Sequence, residues 1–216
     1  MSKLYFIHAL DKTTSFLTVF REHFEESFYT IEPNETSVKN SIKYVQEIPE
    51  NSTIIFLGHG HSTGLYTPES EEFSKEIFIN SDIGNQIFTR QRVLLLSCNS
   101  NQYIRRLNSF EYIVGFGNIL SSMKEVSIEA ENETGIYRNL LENDINFFNS
   151  AYCYAIINAL QNYNRGAYQF NELPILIEFY INQKINETLL KKDIENRVEI
   201  ARLLFEFRNE ILFLKN

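Results

Sequence analysis

Two apolar runs in this chain each stop at a side chain that can do chemistry. Ile54-Ile55-Phe56-Leu57 runs into Gly58-His59-Gly60, and Val93-Leu94-Leu95-Leu96 runs into Ser97-Cys98-Asn99. A thiol becomes a nucleophile when a neighbouring base takes its proton, and an imidazole titrates in the right range to do so. If both runs are strands of one sheet, about 4.8 Å apart, the His59 and Cys98 side chains leave neighbouring strand ends within reach of each other. The residue after His59 is Gly60, and a backbone N–H with no side chain beside it can face a substrate carbonyl. Together with the N–H of Cys98 it makes a candidate oxyanion hole, a donor set of which each member is worth about 3 kcal/mol in the transition state. His61 is the alternative base, because a strand end read from sequence can shift by a few residues. A metal site built from His59, His61 and Cys98 lacks a convincing third or fourth ligand, so no metal or other cofactor is expected. Cys153 falls in a helical apolar stripe and reads as core, and His8 and His23 read as structural.

These residues need a scaffold, and the hydrophobic pattern supplies one. Short continuous apolar runs are what strands buried on both faces of a parallel sheet look like, and open α/β sheets place their chemistry at the carboxyl ends of such strands. Leu4 to Leu10 reads as the first strand, followed by a helix capped by Thr13 or Thr14 that carries Phe16, Leu17, Phe20, Phe24 and Phe28. A short strand over 28–31, a helix opened by Thr36 or Ser37, and the strand delivering His59 come next. Residues 61–91 read as a flap with weak apolar segments at Ile77-Phe78-Ile79 and Ile87-Phe88. The strand ending at Cys98, a short helix near 103–107 and a strand over Tyr112 to Phe116 complete the alternation. Alternating strands and helices imply an α/β fold with a mostly parallel sheet flanked by helices. After Thr134 the period becomes helical, Pro174 divides the region, and 186–214 is the longest helical candidate. The expected organisation is a catalytic core over residues 1–130 with a helical C-terminal third, 131–216, packed on it.

The run Leu57-Gly58-His59-Gly60, a loop of a few tens of residues, and Leu94-Leu95-Leu96-Ser97-Cys98 resembles the catalytic pair of caspase-like cysteine peptidases, particularly the bacterial members and the CHAT subgroup. The resemblance covers roughly residues 4–120 in element order but only about ten residues in motif. It implies a caspase-like fold in which His59 is the general base and acid, Cys98 the nucleophile, and the amides of Gly60 and Cys98 the oxyanion hole. The pocket for the residue before the scissile bond would then be built from Asp11, Leu96 and Asn118, with Asp11 able to accept a basic side chain. Leu96-Ser97-Cys98-Asn99-Ser100 departs from the Gln-Ala-Cys-x-Gly run of animal caspases, which removes support for aspartate specificity. The resemblance also implies a regulated bacterial effector, such as an anti-phage defence protease.

The bulk composition narrows the competition. The 216 residues carry 20 Lys plus Arg against 28 Asp plus Glu, a net charge of −8, which repels phosphate backbones and argues against a nucleic-acid partner. No apolar run approaches the roughly 18 residues of a membrane span and no secretory signal pattern opens the chain, so a cytoplasmic protein with no membrane association is expected. Two cysteines are too few for a disulfide framework and suit a compartment where a thiolate survives. The partners expected are a protein or peptide substrate and an activating small-molecule ligand or partner protein, received at the acidic loop with Glu69, Glu71, Glu72 and Glu76 or on the apolar face of 186–214. Two competitors stand beside the peptidase: a catalytically silent α/β binding module, for which no Gly-x-Gly-x-x-Gly or Gly-Lys-Thr loop is present, and another thiol hydrolase or acyltransferase.

Overall fold

A computed structural model of the chain describes residues 3–24, 28–132 and 140–216, the side chains of 128–132 excepted. In chain order the elements are β1 (Leu4–Ala9), a 3-10 turn (Ser15–Thr18), α1 (Val19–His23), β2 (Phe28–Ile31), α2 (Glu35–Gln46) and β3 (Thr53–Leu57). Three short strands follow, β4 (Gly60–His61), β5 (Gly64–Tyr66) and β6 (Ile77–Asn80), then α3 (Ser81–Ile87) and β7 (Arg92–Leu96). The chain continues through α4 (Ser100–Tyr103), β8 (Tyr112–Gly115), α5 (Met123–Asn132), α6 (Glu142–Asn164), α7 (Leu173–Leu190), α8 (Arg197–Asn209) and β9 (Leu212–Lys215).

Six strands form the main sheet in the order β2-β1-β3-β7-β8-β9, all parallel except β9, which runs antiparallel to β8. The α/β class with a mostly parallel, helix-flanked sheet is therefore shown. Alternation along each strand sorts its side chains between two cores. Phe6, Ile55, Leu57, Leu94, Leu96 and Val114 pack with helices α6, α7 and α8, while Ile7, Ile54, Phe56, Val93, Leu95 and Ile113 pack with residues of α2 and α3. Burial on both faces is why these strands carry continuous rather than alternating apolar residues. The segment after β3 forms a separate antiparallel sheet, β4-β5-β6, so the expected flap exists with strands of its own.

Several boundaries differ from the sequence expectation. Asn34, not Thr36 or Ser37, caps α2: its side chain accepts from the Ser37 N–H at 2.9 Å, while the Ser37 hydroxyl accepts from the Glu32 N–H at 2.9 Å. Thr14 makes no cap bond, and Phe28 leaves the first helix for β2, where its ring stacks on Phe6 at 4.6 Å. Of the two weak apolar segments in 61–91, Ile77-Phe78-Ile79 lies in β6, while Ile87 ends helix α3, which Asn80 caps through the N–H groups of Asp82 and Ile83, and Phe88 follows it. The long helix expected over 186–214 is three pieces: the end of α7, α8 and β9. Asp193 and Asn196 favour turns between the helices. Leu212 to Lys215 then run along the open edge of β8, whose backbone groups they pair. Among the described residues the C-terminal third is thus helical with one strand, and that strand forms the edge of the sheet beside β8. No helix among the described residues is long and apolar enough to cross a membrane.

Candidate active site

Strand register brings His59 and Cys98 together. Leu57 pairs with Leu96 across β3 and β7, an offset of 39 positions that is also the separation of His59 from Cys98, so both lie two residues past the same rung. The pairing persists one step further, where the Gly58 N–H donates to the Leu96 carbonyl at 3.3 Å. The chain then turns into β4, with the Tyr66 N–H donating to the His59 carbonyl at 3.1 Å. Gly60 lies directly on the turn that carries Cys98: a β-carbon there would sit 2.6 Å from Ser97 Oγ and 2.8 Å from the Cys98 carbonyl oxygen. Because His59 and Tyr66 form a hydrogen-bonded pair, the next pair, Gly60 and Leu65, is a non-bonded one, and the Gly60 N–H turns away from β5.

The turn after Cys98 is sharp. Asn99 adopts φ 53°, a left-handed conformation that Asn tolerates better than most residues. Its N–H donates to the Gly117 carbonyl at 2.8 Å. Ser100, fully buried, ties the turn to both strands: its hydroxyl accepts from the Phe116 N–H at 2.8 Å and reaches the Leu95 and Ser97 carbonyls at 2.8 Å each.

Proton counting around His59 identifies which nitrogen is basic. The buried imidazole places Nε2 at 2.7 Å from Thr13 Oγ1 and 3.4 Å from Asp11 Oδ2. Asp11 Oδ1 accepts from the Thr13 hydroxyl at 2.7 Å and from the N–H groups of Thr13 and Thr14 at 2.9 and 3.0 Å, and Oδ2 accepts from the Glu69 N–H at 3.3 Å. Burial alone would raise the Asp11 carboxyl; the bonds from His59 and Thr13 and the neighbouring imidazole charge overcome it and hold the group well below the usual carboxylate range. Asp11 is therefore ionised and has no proton to give. The single Thr13 hydroxyl proton goes to Asp11, so Thr13 Oγ1 accepts from His59, and Nε2 carries the hydrogen. In the neutral ring Nδ1 is then the unprotonated nitrogen, the one able to take a proton.

Cys98 is half-buried. Its Sγ donates to the Ile119 carbonyl at 2.9 Å and accepts from the Ile119 N–H at 3.4 Å. His59 and Cys98 line one cleft with Ser97, Ile119, Ser121 and Tyr152, and its free space of about 20 Å³ is roughly that of one water. Ser97 Oγ, buried beside it, has no hydrogen-bond partner.

The other expected site residues separate. Leu96 lines the cleft, with its side chain in the core. Asp11 lies behind His59, its side chain 1 % exposed, and Asn118 donates its backbone N–H to Glu210 Oε2 at 2.9 Å. His61 is exposed and bonded to Thr63 at 2.9 Å. Cys153 is buried in α6, and burial pushes its thiol well above the ordinary range. Sequence reasoning missed Thr13, Ser100 and Ile119. Thr13 and Thr14 after Asp11 are an Asx-turn signal, not a helix cap. Among the described residues no group of three or more His, Cys, Asp or Glu is placed to hold a metal ion. No protein-family model matches the chain, and neither does any curated protein.

Proposed function

We propose that the protein is a cysteine peptidase of the caspase-like kind, with Cys98 as nucleophile and His59 as base and acid. The observation that carries this is the shared rung: an imidazole and a thiol leave adjacent parallel strands at the same level, and the imidazole is backed by an ionised carboxylate. In the reaction Nδ1 of His59 takes the Cys98 proton and the thiolate attacks the scissile carbonyl. The resulting oxyanion is held by the N–H groups of Gly60 and Cys98. The tetrahedral intermediate collapses as the imidazolium gives its proton to the leaving amine, and a water activated by Nδ1 hydrolyses the thioester. Asp11 serves His59 in this scheme rather than a substrate side chain, since its oxygens are already engaged by donors and closed to solvent. A regulated effector suits a cleft with room for one water.

A specific observation favours the silent binding module as the second reading: the thiol donates to a backbone carbonyl in a cleft with room for about one water. New peptide termini generated from a denatured protein mixture separate the two. The peptidase yields them, Cys98→Ala and His59→Ala abolish them with thermal unfolding nearly unchanged, and equal cleavage by Cys98→Ala would overturn the assignment.

A further inference from the structure

We propose that the cavity between α1 and α6 binds an uncharged aromatic compound bearing an N–H or O–H donor, and that its occupancy releases Cys98; the second half rests on the thiol having the role assigned above. The cavity measures about 490 Å³, ample for a ring system of one or two rings, whereas the cleft at Cys98 is nearly full. Phe16, Tyr154 and Ile157 provide apolar wall, and the amides of Asn149, Asn158 and Gln161 provide donors and acceptors. No Lys, Arg, Asp or Glu lines it among the described residues; His23 does, with its Nδ1 3.3 Å from the Gln161 side-chain amide, so an anionic ligand finds only this exposed imidazole and a cationic one finds no counter-ion, which is costly in a half-enclosed site.

Asn149 connects this cavity to the nucleophile. The residue is 3 % exposed, its Nδ2 donates to the Ser121 carbonyl at 3.1 Å, and its Oδ1 is buried with no hydrogen-bond partner. An orphaned acceptor of this kind costs about 1–3 kcal/mol. A ligand donor that draws the amide towards the cavity satisfies Oδ1 and loosens the tie to Ser121. Ser121 lies two residues beyond Ile119, whose carbonyl and N–H hold Cys98 Sγ. Phe16 is a wall of both the cavity and the cleft at Cys98 and packs edge-on against Tyr152 at 6.2 Å, so the two spaces share a partition.

The test uses indole as the neutral probe and indole-3-carboxylate as its charged counterpart, followed by the side-chain amide resonances of Asn149, Asn158 and Gln161. Indole is expected to shift these resonances and the carboxylate to leave them nearly unmoved. Ile157→Trp, which fills the cavity from its floor, and Ser150→Trp, which covers it from its exposed rim, should each abolish the shifts. Absent shifts with indole, or shifts that survive both variants, overturn the site. Alkylation of Cys98 by iodoacetamide should rise about tenfold with indole bound, within the usual range of allosteric coupling. Asn149→Ala should raise it without indole and remove the response to indole. Binding with unchanged Cys98 alkylation overturns the coupling. Faster alkylation with no gain in peptide cleavage upholds the coupling and counts against the peptidase assignment instead.

Discussion

Replacing Asp11 with Asn tests the proton arrangement around His59 with almost no change of shape. Three donors, the N–H and hydroxyl of Thr13 and the N–H of Thr14, converge on Oδ1, so the amide oxygen must take that position. The amide NH₂ then occupies the Oδ2 position, 3.4 Å from His59 Nε2, and the 3.3 Å bond from the Glu69 N–H is lost. Two donors cannot face each other, and the ring resolves the clash by moving its proton from Nε2 to Nδ1. The nitrogen that accepts the thiol proton in the proposed reaction is then already occupied. A positioned general base contributes about 10²–10⁴ in rate, so the loss is about 2.7–5.4 kcal/mol of transition-state stabilisation at 1.36 kcal/mol per decade. Removing a buried, hydrogen-bonded charge should also lower stability by about 1–3 kcal/mol. Peptide turnover as a function of pH, with circular dichroism as the control for folding, reads the effect. The turnover number should fall at every pH with little change in KM, and Cys98 alkylation at neutral pH should slow in parallel. A variant with undiminished turnover number, but a raised KM confined to substrates with a basic side chain, would refute this and return Asp11 to a specificity pocket.

Three further outcomes follow from buried groups near the site. Burial, with a smaller push from Arg21, lowers the His8 imidazole to about 4 against the bond it makes to the Thr14 carbonyl. The unfolded chain takes up a proton below about 6.5 that the folded one refuses, so the stability from neutral His8 is present above that pH and falls by about 3 kcal/mol on acidification to pH 4. Denaturant unfolding across this range should show the loss in the wild type and much less of it in His8→Gln. Gly60→Ala places a methyl against Ser97 and the Cys98 carbonyl, and should lower the melting temperature with a cost of about 1–3 kcal/mol and depress Cys98 alkylation. Ser100→Ala leaves the buried Phe116 N–H without its partner and should cost about 1–3 kcal/mol in chemical denaturation.

How far the sequence discloses the molecule depends on the kind of interaction. The runs 54–57 and 93–96 are legible because double-sided burial forces apolar residues at every position, and the equal spacing of His59 and Cys98 with the strand register follows from counting. Strand β9 is not legible, because Leu212-Phe213-Leu214 fits a helical period as well as an extended one and only the open edge of β8 decides. Asp11 was visible as a carboxylate after the first strand, but its direction is fixed by a turn closed through Thr13 and Thr14. The hold of Ile119 on the thiol is made by backbone groups, which leave no mark in residue identity.

The most direct measurement is covalent capture of the intact protein by a peptide bearing a thiol-reactive electrophile, with the modified residue located by mass spectrometry. Modification at Cys98 and not at Cys153, slowed by about 10² or more in folded His59→Ala, is the expected result, because in the proposed dyad the imidazole generates the thiolate. Modification of Cys98 at the same rate with and without His59 would show that the two residues are neighbours and nothing more.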